Sequence, residues 1–408
     1  MSVAAAFLSC SRDEEPGPGP IDGECRRTVV MYTVANNSLH QLLDNNIQLA
    51  LAAVGNGLPE GSRLLVYLDT WRYGSDYARV DSTVLIELVP AGKGRAEARI
   101  LKSYGSQNSL DPAVMQAVLN DVANLAPNRG YGMVLSSHAT GWFPPQAGYI
   151  GRPFGAGTEP ALTGHDWRKA PGAAPTRTFG DDGGYSMSVP DLVQGLSAVR
   201  FDFLLFDACF MSSVEALYEL RSSADYIVAS PTEVMGAGFP YRKILPYLFG
   251  SETALEQTCR IFMDTYRAEP TYKSAAVTLV DCRGLDALAE SVRAVMHAPV
   301  NEVNPDDVQA LEGMGGGGSN IHAFFDLEDY IVQLCPDEML KARFGAALKA
   351  AVVFAGHTPQ IYSAYIPGFF DANRLCGIST YIPRDEFPGY KSLWKQTAWG
   401  SYVSPAYF

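Results

Sequence analysis

The strongest constraint on this chain is a series of short, almost continuously apolar runs, each separated from the next by a turn or a stretch of helical spacing. The runs are TVVMYTV (28–34), RLLVYLD (63–69), TVLIELV (83–89), YGMVLSS (131–137), FDFLLFDA (201–208) and YIVAS (226–230). A strand with one solvated face alternates apolar and polar residues, whereas a strand apolar at successive positions is covered on both faces. Helical periodicity over 39–54 and 111–125, and an amphipathic stretch at 211–221, supply the cover. The expected class is α/β, with a mostly parallel sheet sandwiched by helices. Past residue 248 helical patterns dominate, at 254–268, 284–296, 324–334 and 339–354, with short strands expected at 274–280 and 378–382. The expected organisation is a tether over 1–26, a core over 27–250 carrying an irregular Gly/Pro/Ala/Arg insertion at 149–178, and a helix-rich part over 251–408 packed on the core. The tract GMGGGGS (313–319) is a loop and not a phosphate cradle, since no strand precedes it and no Lys-Ser/Thr follows.

Charge narrows the function. Lys plus Arg number 31 against 44 Asp plus Glu, a net charge of −13, and no basic cluster occurs along the 408 residues. Nucleic-acid binding needs concentrated positive charge, so nucleic acid is not an expected partner. An acidic surface serves solubility and accepts cationic peptides. Of seven cysteines, none falls in a C-x-x-C pair, which argues against a zinc ribbon or a disulfide scaffold. At least one thiol is expected to be free or modified.

The opening MSVAAAFLSCSRDEE resembles the end of a bacterial lipoprotein signal, with Cys10 the residue to be acylated and Asp13, Glu14 and Glu15 resembling a surface-export signal of Bacteroidetes lipoproteins. No later stretch is long and apolar enough to span a bilayer. The expectation is a monomer in the bacterial envelope, at its surface or secreted, touching a membrane only through an N-terminal lipid.

In parallel α/β sheets functional groups gather at the carboxyl ends of strands. MVLSSHATGW places His138 directly after one apolar strand, and FLLFDACFMSS places Cys209 after another, at the expected mouth of a helix. A thiolate attacks a carbonyl, and a helix N-terminus with a nearby imidazole lowers a thiol pKa. His138 would protonate the leaving amine, and backbone N–H groups of Cys209 and Ala139 would form an oxyanion hole. A cysteine in an apolar run is commonly a small buried hydrophobe, and a strand-end His commonly structural. Their occurrence at equivalent strand ends favours the chemical reading.

An apolar strand ending in His followed by one ending in Asp-Ala-Cys resembles the caspase-like clan of cysteine peptidases. The finer pattern resembles the clostripain family, in HATGW (138–142), FGDD (179–182), FDACFMSSVEALYEL (206–220), DYIVASPTE (225–233), FFDLEDY (324–330), VVMYTVANNSL (29–39) and GISTYIP (377–383). The resemblance covers about residues 27–405. It implies a caspase-like fold and an endopeptidase with a Cys-His dyad, Cys209 as nucleophile and His138 as acid–base. It also implies cleavage after Arg or Lys through acidic S1 residues, and activation by self-cleavage between the two catalytic strands. Asp207 and Glu233 are the S1 candidates, and Arg168, Lys169 and Arg177 the self-cleavage candidates; Arg152 precedes a proline.

Two departures bear on this reading. Ala139 stands where much of the clan has Gly, and Ala237 stands in a turn where basic-specific members carry an acid, which weakens the preference for Arg or Lys at P1. The alternative these residues raise is a catalytically silent surface binding protein on the same fold. Metal-dependent hydrolysis by His138 and His165 lacks ligand spacing such as H-E-x-x-H. No cofactor is required, and Asp181-Asp182 is the one weak calcium-ligand pair.

Overall fold

The computed structural model describes residues 26–73, 79–142, 179–312, 322–363 and 368–405. The apolar runs become strands of one nine-stranded sheet: β1 (Arg27–Val34), β2 (Arg63–Tyr73), β3 (Arg79–Gly92), β4 (Arg95–Gly105), β5 (Gly130–Ser136), β6 (Phe201–Asp207), β7 (Ala224–Ala229), β8 (Ala276–Asp281) and β9 (Val352–His357). Their order across the sheet is β9-β8-β7-β6-β5-β1-β2-β3-β4. The middle, from β7 to β2, is parallel. Both margins are antiparallel, through β3 and β4 on one side and β8 and β9 on the other. Two margin strands thus come from the C-terminal part of the chain.

Alternate side chains of the middle strands feed two cores, as the period-2 geometry of a strand requires. Val30, Tyr32, Leu204 and Phe206 pack with the helices Pro112–Leu125, Val214–Leu220 and Leu285–Met296. Val29, Met31, Phe203 and Leu205 pack with His40–Val54 and Glu252–Ala268 on the opposite face. Each buried Leu or Phe contributes about 1.5–3 kcal/mol, which is why these strands tolerate almost no polar residue. Helix Pro112–Leu125 begins where the sequence places its cap: the Asp111 carboxylate accepts from the Ala113 N–H, with Pro at the first turn.

Three expectations shift. The stretch at 211–221 is not amphipathic: the short helix Val214–Leu220 has only Glu219 incompletely buried, because it lies under the C-terminal elements. The helical pattern over 339–354 stops at Ala351, and the β-branched pair Val352-Val353 starts β9. Strand β4 is an addition to the expected set; it is an edge strand exposed at most positions, so the short alternation RAEARI does not mark a buried face.

Candidate active site

The sheet sets the two strand ends side by side. Ser136 of β5 pairs with Asp207 of β6 in parallel register, so His138 and Cys209, each two residues further on, leave the sheet at the same level. The loops they enter touch. Gly141 has φ 57°, and a Cβ there would stand 2.5 Å from the Phe210 carbonyl oxygen, so the HATGW loop lies backbone-to-backbone on the residue after Cys209. Phe210 is itself left-handed at φ 59°, a conformation that costs a side-chain-bearing residue about 1–2 kcal/mol. Its N–H donates to the Thr232 carbonyl at 3.0 Å, and its ring stacks on Phe324 at 4.5 Å. These contacts hold the strained turn that presents Cys209.

The expected helix mouth is absent at Cys209. The helix starts only at Val214, capped by Ser213, whose hydroxyl accepts from the Ala216 N–H. No helix N-terminus therefore stabilises a thiolate. Instead the half-buried Sγ accepts a hydrogen bond from the Val234 N–H at 3.3 Å. Burial, then the negative charge of Glu233, push the thiol up to about 12, with Asp207 adding to the rise and the Val234 bond opposing it. His138 moves the other way: burial lowers its pKa, against a smaller pull upward from Asp181. The resting pair is therefore neutral thiol and neutral imidazole near pH 7, and the two side chains make no hydrogen bond to each other.

His138 is surrounded by residues that the sequence alone did not single out. The Ser38 hydroxyl lies 2.9 Å from His138 Nε2. Neighbouring Asn37 donates from Nδ2 to the Val34 carbonyl at 2.8 Å and the Asp181 carbonyl at 2.7 Å, while its Oδ1 accepts from the Leu39 N–H at 2.8 Å. Ser137 completes the tie, donating to the Val34 carbonyl at 3.0 Å and accepting from the Asp181 N–H at 3.1 Å. The signal that could have found them is topological: β1 is parallel to β5 and its neighbour, so the turn 36–38 ends beside His138.

Ala139 needs no glycine at its position. It is not among the positive-φ residues, which in this region include Gly141, Gly180 and Phe210. It bridges to Phe179, with the hydrogen bond running from the Gly180 N–H to the His138 carbonyl at 2.9 Å. That leaves the Ala139 N–H outside the bridge. Among the described residues neither the Ala139 nor the Cys209 N–H has an acceptor, the condition an oxyanion donor must meet.

The two S1 candidates differ in setting. Asp207 is buried, accepting from the Tyr241 hydroxyl at 2.7 Å and from Asn46 Nδ2 at 3.5 Å; burial raises its pKa to about 6, opposed by the Tyr241 bond and a backbone bond from Phe239. Glu233 is partly exposed and accepts from the Ser363 hydroxyl at 2.7 Å. Asp207 is two residues before Cys209, and Glu233 adjoins Val234, whose N–H bonds the sulfur at 3.3 Å; the negative charge of each raises the thiol pKa. Ala237 is exposed and adds no charge. Asp182 accepts from Asn36 Nδ2 with one oxygen and from the Ser109 N–H with the other, each at 2.7 Å, and Asp181 accepts from the Gly184 N–H at 3.0 Å. Among the described residues no group of three His, Cys, Asp or Glu could hold a metal, and all five cysteines are free thiols. Cys10, His165, Arg168, Lys169 and Arg177 lie outside the described residues. No helix among the described residues is long and apolar enough to cross a membrane.

A helix-covered, centrally parallel sheet with His and Asp-Ala-Cys at neighbouring strand ends defines a cysteine-type peptidase of caspase-like architecture. The comparisons with known proteins specify which kind. The clostripain family model (peptidase C11) matches residues 164–330. The fold is similar to that of an inactive zymogen C11 protease from Parabacteroides distasonis, at 26% identity and TM-score 0.76 over 95% of this chain and 100% of that one. It is equally similar to iotapain, a secreted C11 cysteine protease from Bacteroides thetaiotaomicron, at 26% identity and TM-score 0.75 over 93% of this chain and 99% of that one. A structure of a secreted C11 cysteine protease from the same organism with an irreversible peptide inhibitor matches at 25% identity and TM-score 0.75, covering 93% and 99% of the two chains. No curated protein matches the sequence. The chain belongs to the clostripain family of cysteine proteases.

Proposed function

We propose that this protease cleaves peptide bonds through a dyad of Cys209 and His138, with a moderate preference for Arg or Lys at P1. The observation that carries the dyad is the register of β5 on β6, which brings the imidazole and the thiol out of the sheet at one level. Because both groups rest neutral, attack is coupled to proton transfer and does not start from a preformed ion pair. The Cys209 thiol gives its proton to His138 as sulfur bonds to the substrate carbonyl carbon. The carbonyl oxygen, now an oxyanion, is met by the free N–H groups of Cys209 and Ala139. His138 then protonates the departing amine, leaving a thioester that water hydrolyses with His138 as base.

The P1 preference is supported by Glu233 and Asp207, whose charges already reach the thiol. A cation seated there would relieve the repulsion that holds the thiol protonated, so a basic P1 residue would aid both binding and attack. Glu233 is the better placed of the two, since Asp207 is buried and bound to Tyr241. The similar C11 protease solved with an irreversible peptide inhibitor supports peptides as the substrate class. Self-cleavage at Arg168, Lys169 or Arg177 and lipid attachment at Cys10 remain part of this proposal.

The test is a positional-scanning peptide library turned over by wild type and by Cys209→Ala. Wild type is expected to favour Arg or Lys at P1, and Cys209→Ala to be inert. Faster turnover of neutral P1 peptides would remove the preference, and turnover by Cys209→Ala would remove the dyad.

A further inference from the structure

Resting on the reading of His138 as the acid–base, we propose that Ser38 is a positioning residue that accepts a hydrogen bond from His138 Nε2–H, so that Nδ1 is the nitrogen that carries the reaction's proton. The hydroxyl stands 2.9 Å from Nε2. Nε2 is thereby occupied, while Nδ1 makes no hydrogen bond within the described protein. A neutral imidazole carries one N–H and one lone pair, so the bond made by one nitrogen fixes what the other can do. With the proton on Nε2, the lone pair is on Nδ1, ready to take a proton from sulfur.

The geometry around Ser38 is built to hold it still. It sits in the three-residue turn after β1, and the preceding Asn37 pins that turn to three separate points: the Val34 carbonyl, the Asp181 carbonyl and, at 3.3 Å, the Ser137 hydroxyl. Ser137 immediately precedes His138, so the turn that carries the acceptor and the loop that carries the imidazole are anchored to each other. Ser38 is solvent-exposed. Its own hydroxyl proton can therefore point to water while its oxygen faces the ring.

The proton count closes over the cycle. In acylation the S–H proton passes to Nδ1 and then from Nδ1 to the leaving amine. In deacylation Nδ1 takes a proton from the attacking water and returns it to the released sulfur. Throughout, Nε2–H stays on Ser38, whose oxygen stabilises the imidazolium more than the neutral ring because the donor is then charged.

The experiment combines NMR and kinetics on the full chain. Two-bond 1H–15N correlation on 15N-histidine-labelled protein at mildly alkaline pH, with the His138 signals identified by their loss in His138→Gln, is expected to show a proton on Nε2 and a pyridine-type Nδ1. Ser38→Ala is expected to populate both tautomers, to lower kcat about tenfold with KM unchanged, and to move the acid limb of kcat/KM to lower pH. Ser38→Thr is expected to restore all three. A wild-type Nδ1–H tautomer overturns the proposal, and so does a Ser38→Ala protein with unaltered kcat and pH profile. Retained turnover in His138→Gln would instead overturn the underlying role of His138, and the tautomer measurement stands apart from that result.

Discussion

Removing the buried carboxylate of Glu215 is expected to loosen the segment that presents Cys209. Glu215 is fully buried in the helix that follows the Cys209 turn, and its Oε1 accepts from the Tyr381 N–H at 2.9 Å, Trp394 Nε1 at 3.0 Å and the Thr380 hydroxyl at 3.0 Å. The segment 377–381, which carries two of these donors, also grips the turn itself: the Ser379 N–H donates to the Ser212 carbonyl at 3.0 Å, and the Ser212 hydroxyl to the Gly377 carbonyl at 2.7 Å. In Glu215→Ala the Thr380 hydroxyl can turn to the Tyr381 carbonyl, already 3.4 Å away, but Tyr381 N–H and Trp394 Nε1–H are stranded. Two buried orphan donors and a small void cost about 3–6 kcal/mol. Glu215→Gln keeps the accepting oxygen and puts its amide nitrogen where the partnerless Oε2 stood, one buried donor group without an acceptor, so its cost is about 1–3 kcal/mol, below that of Ala. The pH dependence separates them further. Burial raises the Glu215 pKa in the folded chain. The folded state then holds the proton to higher pH than the unfolded chain, so this group's contribution is fully present below the ordinary Glu pKa of about 4.3 and is lost as pH rises through the raised value. Glu215→Gln should lack that dependence. The assay is urea unfolding followed by tryptophan fluorescence at several pH values. A Glu215→Ala protein within 1 kcal/mol of wild type, or a Gln variant as unstable as the Ala variant, would refute the reasoning.

Glu233→Gln is expected to have opposite effects on two readouts: faster alkylation of Cys209 by iodoacetamide at fixed pH, because a charge that holds the thiol protonated is gone, and lower kcat/KM for Arg-ending peptides. A parallel fall in both would contradict it. The acid limb of wild-type kcat/KM is expected below pH 6.5, since burial favours the neutral, basic form of His138 and protonation is deferred to lower pH; a limb above 6.5 would contradict the assignment. Gly238→Ala is expected to destabilise by about 2–4 kcal/mol, measured by urea unfolding, because Gly238 is left-handed at φ 67° and a Cβ there would stand 2.5 Å from Asp207 Oδ2. An unchanged unfolding midpoint would show that Asp207 is not wedged where the structure has it.

The middle of the sheet was legible because burial on both faces leaves a local trace: runs such as FDFLLFDA admit almost no polar residue. The edge strand Arg95–Gly105 leaves no such trace, being exposed along most of its length. Strand Val352–His357 is indistinguishable by pattern from its preceding helix because the boundary falls inside one apolar stretch, at Ala351. His138 and Cys209 were visible as strand-end residues, but the environment of the thiol was not. Its depressed pKa was expected from a helix mouth, and the intervening turn at Phe210 moves that helix away while β7 delivers Glu233 and Val234 to the sulfur instead. Ser38 and Asn37 read as an ordinary turn until the parallel pairing of β1 with β5 places them at the imidazole. Such long-range juxtapositions depend on strand order, which periodicity does not encode.

The most direct measurement of the central claim is mass-spectrometric mapping of the adduct formed by a peptidyl acyloxymethyl ketone ending in Arg. The account predicts a single modified residue, Cys209, with labelling abolished in Cys209→Ala and strongly slowed in His138→Ala. An adduct on any of the other six cysteines at an equal rate, or no adduct on an intact and folded wild-type chain, would contradict it.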